Sequence, residues 1–194
     1  TPQKAGVVLP PQVAAGLCHL HQQGVYHCDI KPLNLLWTDR GAKIIDFNVS
    51  VLSSSGNGHG GGSRRYIPPD LDLAVVPQSS DLADRDLYAL GITLFEAVTS
   101  RYPWETAVPP AGKPAPDPRD WSGFSDLAPE LVDVMLKAIA PTRADRFSSA
   151  GKLIASLEGI KKARRSLPPA EASSSWTVVG LGGEGGLPPN TNPY

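Results

Sequence analysis

The stretch HCDIKPLN, His27 to Asn34, followed by KIIDFN, Lys43 to Asn48, decides how this chain is read. It sets an acid at Asp29, a cation at Lys31, an amide at Asn34 and a second acid at Asp46, each beside apolar residues able to anchor it. That combination points to phosphoryl-transfer chemistry. A nucleophilic hydroxyl needs a carboxylate to take its proton, and nucleotide phosphates need Mg²⁺ on hard oxygen ligands with a cation nearby. Read singly, Asp29 and Asp46 are equally turn or cap residues and Lys31 a solvated charge; it is the ordered set that carries the chemistry.

Working outward, Pro11 to Gln23 carries Val13, Leu17 and Leu20 at helical spacing, with Gly24 as a stop. Asn34 to Trp37 and Lys43 to Phe47 read as two short strands joined by a turn at Asp39 to Gly41, the only strand signal in the chain. A Ser/Gly-rich loop from Ser53 to Ser63 is expected to be mobile. Helices are predicted over about Ala83 to Thr99, over Leu127 to Ile139 with Pro129 in its first turn, and over Ser148 to about Arg165. Six prolines between Pro103 and Pro118 make the intervening stretch extended. The expected domain is mainly α.

The bulk numbers agree. With 194 residues, 41% hydrophobic, and a formal net charge of −1, the chain fits one soluble domain with a sizeable core and implies no nucleic-acid partner. The apolar segment LYALGITLFEAV is too short for a bilayer span and is interrupted by Glu96. Cys18 and Cys28 have neither disulfide-framework nor zinc-ligand spacing, so a reducing cytoplasm is the expected location. His19, His21 and His59 read as ordinary helix and loop residues. Lys161, Lys162, Arg164 and Arg165 read as a solvated helix end. The chain opens on Thr1 and its only methionine is Met135, so a natural reading frame is expected to extend upstream.

These motifs resemble the C-terminal lobe of a eukaryotic-like protein Ser/Thr kinase of bacterial type. HCDIKPLN is similar to the catalytic loop HRDxKxxN, DFN to the metal-binding DFG, and GSRRYIPPD (Gly62 to Asp70) to the GTxxYxAPE segment that closes the activation loop. DLYALG (Asp86 to Gly91) resembles the DxxxxG start of the long central helix, and Arg146 with Phe147 the late Arg of the lobe. The likeness covers about residues 10 to 165. It divides the chain into a C-lobe, 1–165, with a short β-hairpin at the catalytic site, and a Pro/Gly/Ser-rich tail or linker, 166–194.

The resemblance implies transfer of the γ-phosphoryl of Mg-ATP to Ser/Thr hydroxyls of a protein substrate. Asp29 would orient and deprotonate the hydroxyl, Lys31 would offset phosphoryl charge and contact ATP, and Asn34 and Asp46 would hold Mg²⁺. It implies that Ser63 braces Asp29 and Lys31, that His27 packs under the Asp46 and Phe47 turn, that Asp70 forms a buried pair with Arg146, and that Asp86 accepts backbone hydrogen bonds from the catalytic loop. Two positions depart from the pattern. Cys28 replaces the Arg of HRD, which suggests independence from an activation-loop phosphate, and Asn48 replaces the Gly of DFG, where Asn tolerates the left-handed region. Nothing here resembles the Gly-rich loop, the strand-borne Lys or its helix Glu, so the N-lobe is read as absent and an upstream segment as a required partner. Two other readings remain: a silent pseudokinase scaffold, and a small-molecule phosphotransferase of the aminoglycoside type.

Overall fold

In the computed structural model, residues 9–53 and 61–166 are described. The expected loop tip at 54–60, with Ser54, Ser55 and His59, and the expected tail beyond Ser166 lie outside them, as do the side chains of Lys161, Arg164 and Arg165.

The architecture is mostly helical. Helix α1 spans Leu9–Gln22, α2 Ser79–Thr99, α3 Pro129–Ala138 and α4 Ala150–Ser166. The described residues also form two small antiparallel sheets: β1 (Val25–Tyr26) with β4 (Val51–Leu52), and β2 (Leu35–Thr38) with β3 (Gly41–Ile44).

Helix α2 is buried on every side from Arg85 to Phe95 because it runs through the middle of the domain. Tyr88, Ile92 and Phe95 are fully buried, and Leu87, Leu90 and Leu94 nearly so. Around it gather Val13, Ala14 and Leu17 of α1, Val132 and Met135 of α3, and Leu153 and Leu157 of α4. Gly91 is what lets α3 approach: a Cβ there would lie 2.7 Å from both Ala138 Cβ and Ile139 Cγ2. Helix α2 starts four residues before the expected Ala83, since Asp81 Oδ2 accepts the Gln78 N–H at 2.8 Å and caps the first turn. It ends where Ser100 turns left-handed, φ 55°.

The β2–β3 hairpin is held on α1. Gln12 Oε1 accepts the Ala42 N–H at 2.9 Å, and Gly16 leaves room for Ile44, whose Cδ1 would be 3.2 Å from a Cβ at that position. The second expected strand is shorter than read. It ends at Ile44, because Ile45 gives its N–H to Asn34 O at 2.9 Å and the chain then turns away at Asp46. Asn34 closes a 3₁₀ turn, Pro32–Asn34, before the first strand begins. The β1–β4 pair was not anticipated: two residues are too few to show an alternating pattern, and Val25 pairs with Leu52 far along the chain.

Candidate active site

The loop between β1 and β2 carries His27 to Asn34, and α2 fixes its backbone. Asp86, fully buried, accepts the N–H of His27 at 2.9 Å through Oδ2 and the N–H of Cys28 at 2.7 Å through Oδ1. His21 on α1 donates Nε2–H to the same Oδ2 at 2.9 Å, so this histidine is a structural partner of the loop and not the plain helix residue its spacing suggested. With both oxygens engaged, Cys28 is held at φ 64°, a left-handed conformation unusual for a residue with a Cβ. That bend aims the next side chain, Asp29, toward Lys31 and Ser63.

Asp29 is the hub. Lys31 Nζ donates to Asp29 Oδ2 at 2.7 Å and to Ser63 Oγ at 2.9 Å. The Ser63 N–H donates to Asp29 Oδ1 at 2.8 Å. Asn34 Nδ2 donates to the Asp29 carbonyl at 2.8 Å and to Oδ2 at 3.1 Å. Burial alone would push the Asp29 carboxyl up. The hydrogen bonds from Lys31 and Ser63, with the Lys31 charge, outweigh it and hold the group below its ordinary range. Asp29 is therefore a carboxylate at neutral pH.

His27 is fully buried. Its Nδ1 accepts the Asp29 N–H at 3.3 Å and its Nε2 donates to the Ile45 carbonyl at 3.0 Å, so one tautomer serves both bonds. Its ring meets Phe47 edge-on at 4.8 Å between centroids. It thus joins the catalytic-type loop to the turn carrying Asp46. Asp46 itself is exposed, φ 65°, and accepts the Asn48 N–H at 3.4 Å. The left-handed residue of this turn is Asp46, not Asn48, which corrects the conformational reason given for Asn at that position. Since Ile45 is bonded to Asn34, Asp46 leaves the hairpin next to the Asn34 end of the loop.

Asp70 and Arg146 do meet, through Oδ1 and Nη2, although the pair is not the buried one expected. The Arg146 side chain is 1% exposed while that of Asp70 is 35% exposed. Arg146 also donates Nη1 to Asp84 Oδ2 at 2.8 Å, a partner sequence reading missed. Asp84 is pushed up to about 6 by burial, against the pull of Arg146 and Arg143. Asp70 Oδ2 further accepts the Arg143 N–H at 2.8 Å. These bonds anchor the segment after Ser63 to the start of α2 and to the turn before α4.

Arg85 was also missed. It is buried and donates Nη2 to the Cys28 carbonyl at 2.7 Å and to the Gly61 carbonyl. A signal was present: Arg85 and Asp86 fall on the same α2 stripe as Leu82 and Ala89, and charges on a buried stripe call for partners.

A model of the protein kinase domain matches residues 3–155. The chain belongs to the protein kinase family. It is 30% identical over 172 residues to a probable serine/threonine-protein kinase of Clostridium perfringens, covering 83% of this chain and 24% of that protein. It is 30% identical over 166 residues to the serine/threonine-protein kinase PrkC of Bacillus subtilis, covering 80% of this chain and 25% of that protein. Over 108 residues it is 37% identical to the MAP kinase kinase skh1/pek1 of Schizosaccharomyces pombe, covering 55% of this chain and 28% of that protein. The chain thus spans about a quarter of the length of the curated relatives it matches. The expected resemblance to eukaryotic-like Ser/Thr kinases of bacterial type is borne out. No helix among the described residues is long and apolar enough to cross a membrane.

Proposed function

We propose that this chain forms the acceptor-side half of a protein serine/threonine kinase, in which Asp29 takes the proton of a Ser or Thr hydroxyl on a protein substrate. The observation that carries the reading is the Lys31 ammonium shared between Asp29 Oδ2 and Ser63 Oγ. A cation fixed beside an ionised acid suits a step in which a hydroxyl oxygen bonds to phosphorus, its proton passes to Asp29, and the oxygen bridging to the leaving diphosphate departs with its electron pair. Lys31 would offset the negative charge spread over the transferred group. Lys at this position with Ser63 as its brace favours a Ser/Thr acceptor.

The donor set suits Mg-ATP. Asn34 spends its amide hydrogens on Asp29, and no described residue donates to its Oδ1; with the exposed Asp46 carboxylate this makes a pair of hard oxygens, the kind of partial shell Mg²⁺ accepts alongside phosphates and water. Mg-ATP, when bound, supplies the transferable phosphoryl group and neutralises charge on it. Asn34 would then orient both the metal and Asp29.

The Gly-rich loop, the strand Lys and its helix Glu have no counterpart in this sequence, and we assign them to a segment outside it. The apolar side chains around the hairpin support that assignment: Leu33 is 84% exposed, Leu36 49%, Trp37 45% and Phe47 45%. Without that segment the chain neither binds ATP tightly nor phosphorylates. A cytoplasmic setting fits the two free cysteines.

The deciding experiment is Asp29→Asn in a kinase containing this chain. Phosphorylation of a basic protein substrate should fall at least about a hundredfold while the unfolding midpoint stays close to that of the parent. Retained turnover would remove Asp29 from the mechanism; a parent enzyme that is itself silent would point instead to the scaffold reading, which Cys28 favours.

A further inference from the structure

Arg85 has no part in the chemistry above, yet it closes a ring around it. Its Nη2 donates to the carbonyl of Cys28, the peptide immediately before Asp29, at 2.7 Å, and to the carbonyl of Gly61, two residues before Ser63. From Ser63 the ring returns to Asp29 through the Ser63 N–H at 2.8 Å. The space inside is full. Gly62 lies at φ 99°, and a Cβ there would come within 2.5 Å of both Arg85 Nη2 and the Cys28 carbonyl oxygen.

Arg85 is 3% exposed and forms no ion pair among the described residues. A buried cation is costly unless its donors find acceptors, and here carbonyls of two separate segments take both hydrogens of Nη2. Charged donors make hydrogen bonds roughly twice as strong as neutral ones. Two such bonds from one nitrogen oppose separation of the catalytic loop from residues 61–63. Cys28, the other side chain at this junction, is buried and brings no cation. The charge that joins the two segments is therefore part of α2.

We propose that Arg85 is a positioning residue: a built-in latch that holds residues 61–63 against Asp29 and Lys31 with no covalent modification of that segment. The consequence for turnover rests on the kinase reading, whereas the latch itself is a property of the fold. Without it, Ser63 would leave Asp29, and Lys31 would lose one of its two acceptors.

The test is hydrogen exchange on the unphosphorylated 194-residue chain, comparing Arg85→Met, which keeps an unbranched apolar stem and removes every donor, with Arg85→Lys, which keeps a charged donor on a somewhat shorter stem. Arg85→Met should speed exchange of the Ser63 amide at least about tenfold while amides of α2 from 87 to 95 and of α3 stay unchanged. Arg85→Lys should restore most of the Ser63 protection. In a kinase containing the chain, Arg85→Met should lower kcat about tenfold with the KM for ATP within about twofold of the parent. Unchanged Ser63 exchange overturns the latch, and so does uniform loss of protection along the chain, which marks Arg85 as only a fold determinant. Ser63 protection that appears only after phosphorylation of Ser53, Ser54 or Ser55 also overturns it and makes Arg85 a phosphate reader. Because exchange does not depend on turnover, a parent enzyme that is inactive with Arg85 intact defeats the kinase reading and leaves the latch standing.

Discussion

Asp86 Oδ1 accepts the backbone N–H of Cys28 at 2.7 Å, joining the central helix to the peptide that aims Asp29. The bond matters because Cys28 sits at φ 64°, where an L-residue is strained by about 1–2 kcal/mol. Two N–H donors and one imidazole converge on this carboxylate. The strained turn is stable because the acceptor is buried and both of its oxygens are engaged.

The first prediction concerns that acceptor. Asp86→Asn keeps shape but offers one oxygen to three donors, so an amide NH₂ must face one of them. Leaving a buried donor unmet costs about 1–3 kcal/mol, and bonds to a charged acceptor are worth about 1.5–3 kcal/mol. We expect a loss of about 2–3 kcal/mol in urea unfolding, with Asp29 displaced from Lys31. A loss below about 0.5 kcal/mol would show that the loop is held by other contacts.

The parts of this site that could be read in the chain are those whose chemistry lies in a short run. His27, Asp29, Lys31 and Asn34 fall within one loop, so residue types alone suggested a common task. Helices were legible for a similar reason: Val13, Leu17 and Leu20 repeat at a local period. What stayed hidden depends on distant pairing. His21 meets Asp86 across 65 residues, Arg85 meets Cys28 across 57, and Arg146 meets Asp84 across 62; no local pattern records those encounters. The β1–β4 pair is invisible for the same reason, its strands being too short to carry a period. Asp46 rather than Asn48 turning left-handed is a tertiary outcome, since residue preference favours Asn and the bond from Ile45 to Asn34 dictates where the turn falls.

A second prediction follows from the closeness of α2 and α3. Gly91→Ala gains about 1 kcal/mol in helix propensity, but its methyl would need to occupy space 2.7 Å from Ala138 Cβ and Ile139 Cγ2 and 3.2 Å from the Ala138 carbonyl carbon. Overpacking of that kind costs about 1–3 kcal/mol and occasionally more. The backbone atom of α3 cannot swing aside, so the clash outweighs propensity and the net effect is destabilising by up to about 2 kcal/mol. Thermal unfolding checks it, and adding Ala138→Gly should recover part of the loss by removing one of the opposing methyl groups. A stabilised Gly91→Ala would mean that α3 is free to retreat.

The last prediction separates the two cysteines. Cys28 is 4% exposed, and burial together with the Asp86 charge pushes its thiol up from 9.0 to about 12, against the opposing pull of Arg85. At pH 8 a thiol of that kind is ionised to roughly one part in ten thousand, and only the thiolate alkylates at a useful rate. Cys18, partly exposed on α1 with its Sγ accepting from Gln22, has no such enclosure. Iodoacetamide at pH 8 should therefore add one label to the native chain, at Cys18, and two in urea, as read by intact mass and peptide mapping. Raising the pH from 7 to 9 should leave Cys28 unlabelled, because the folded-state value stays well above that window. Native labelling of Cys28 would show that the junction between the His27–Asn34 loop and α2 opens readily, contrary to the packing of Asp86 and Arg85 around it.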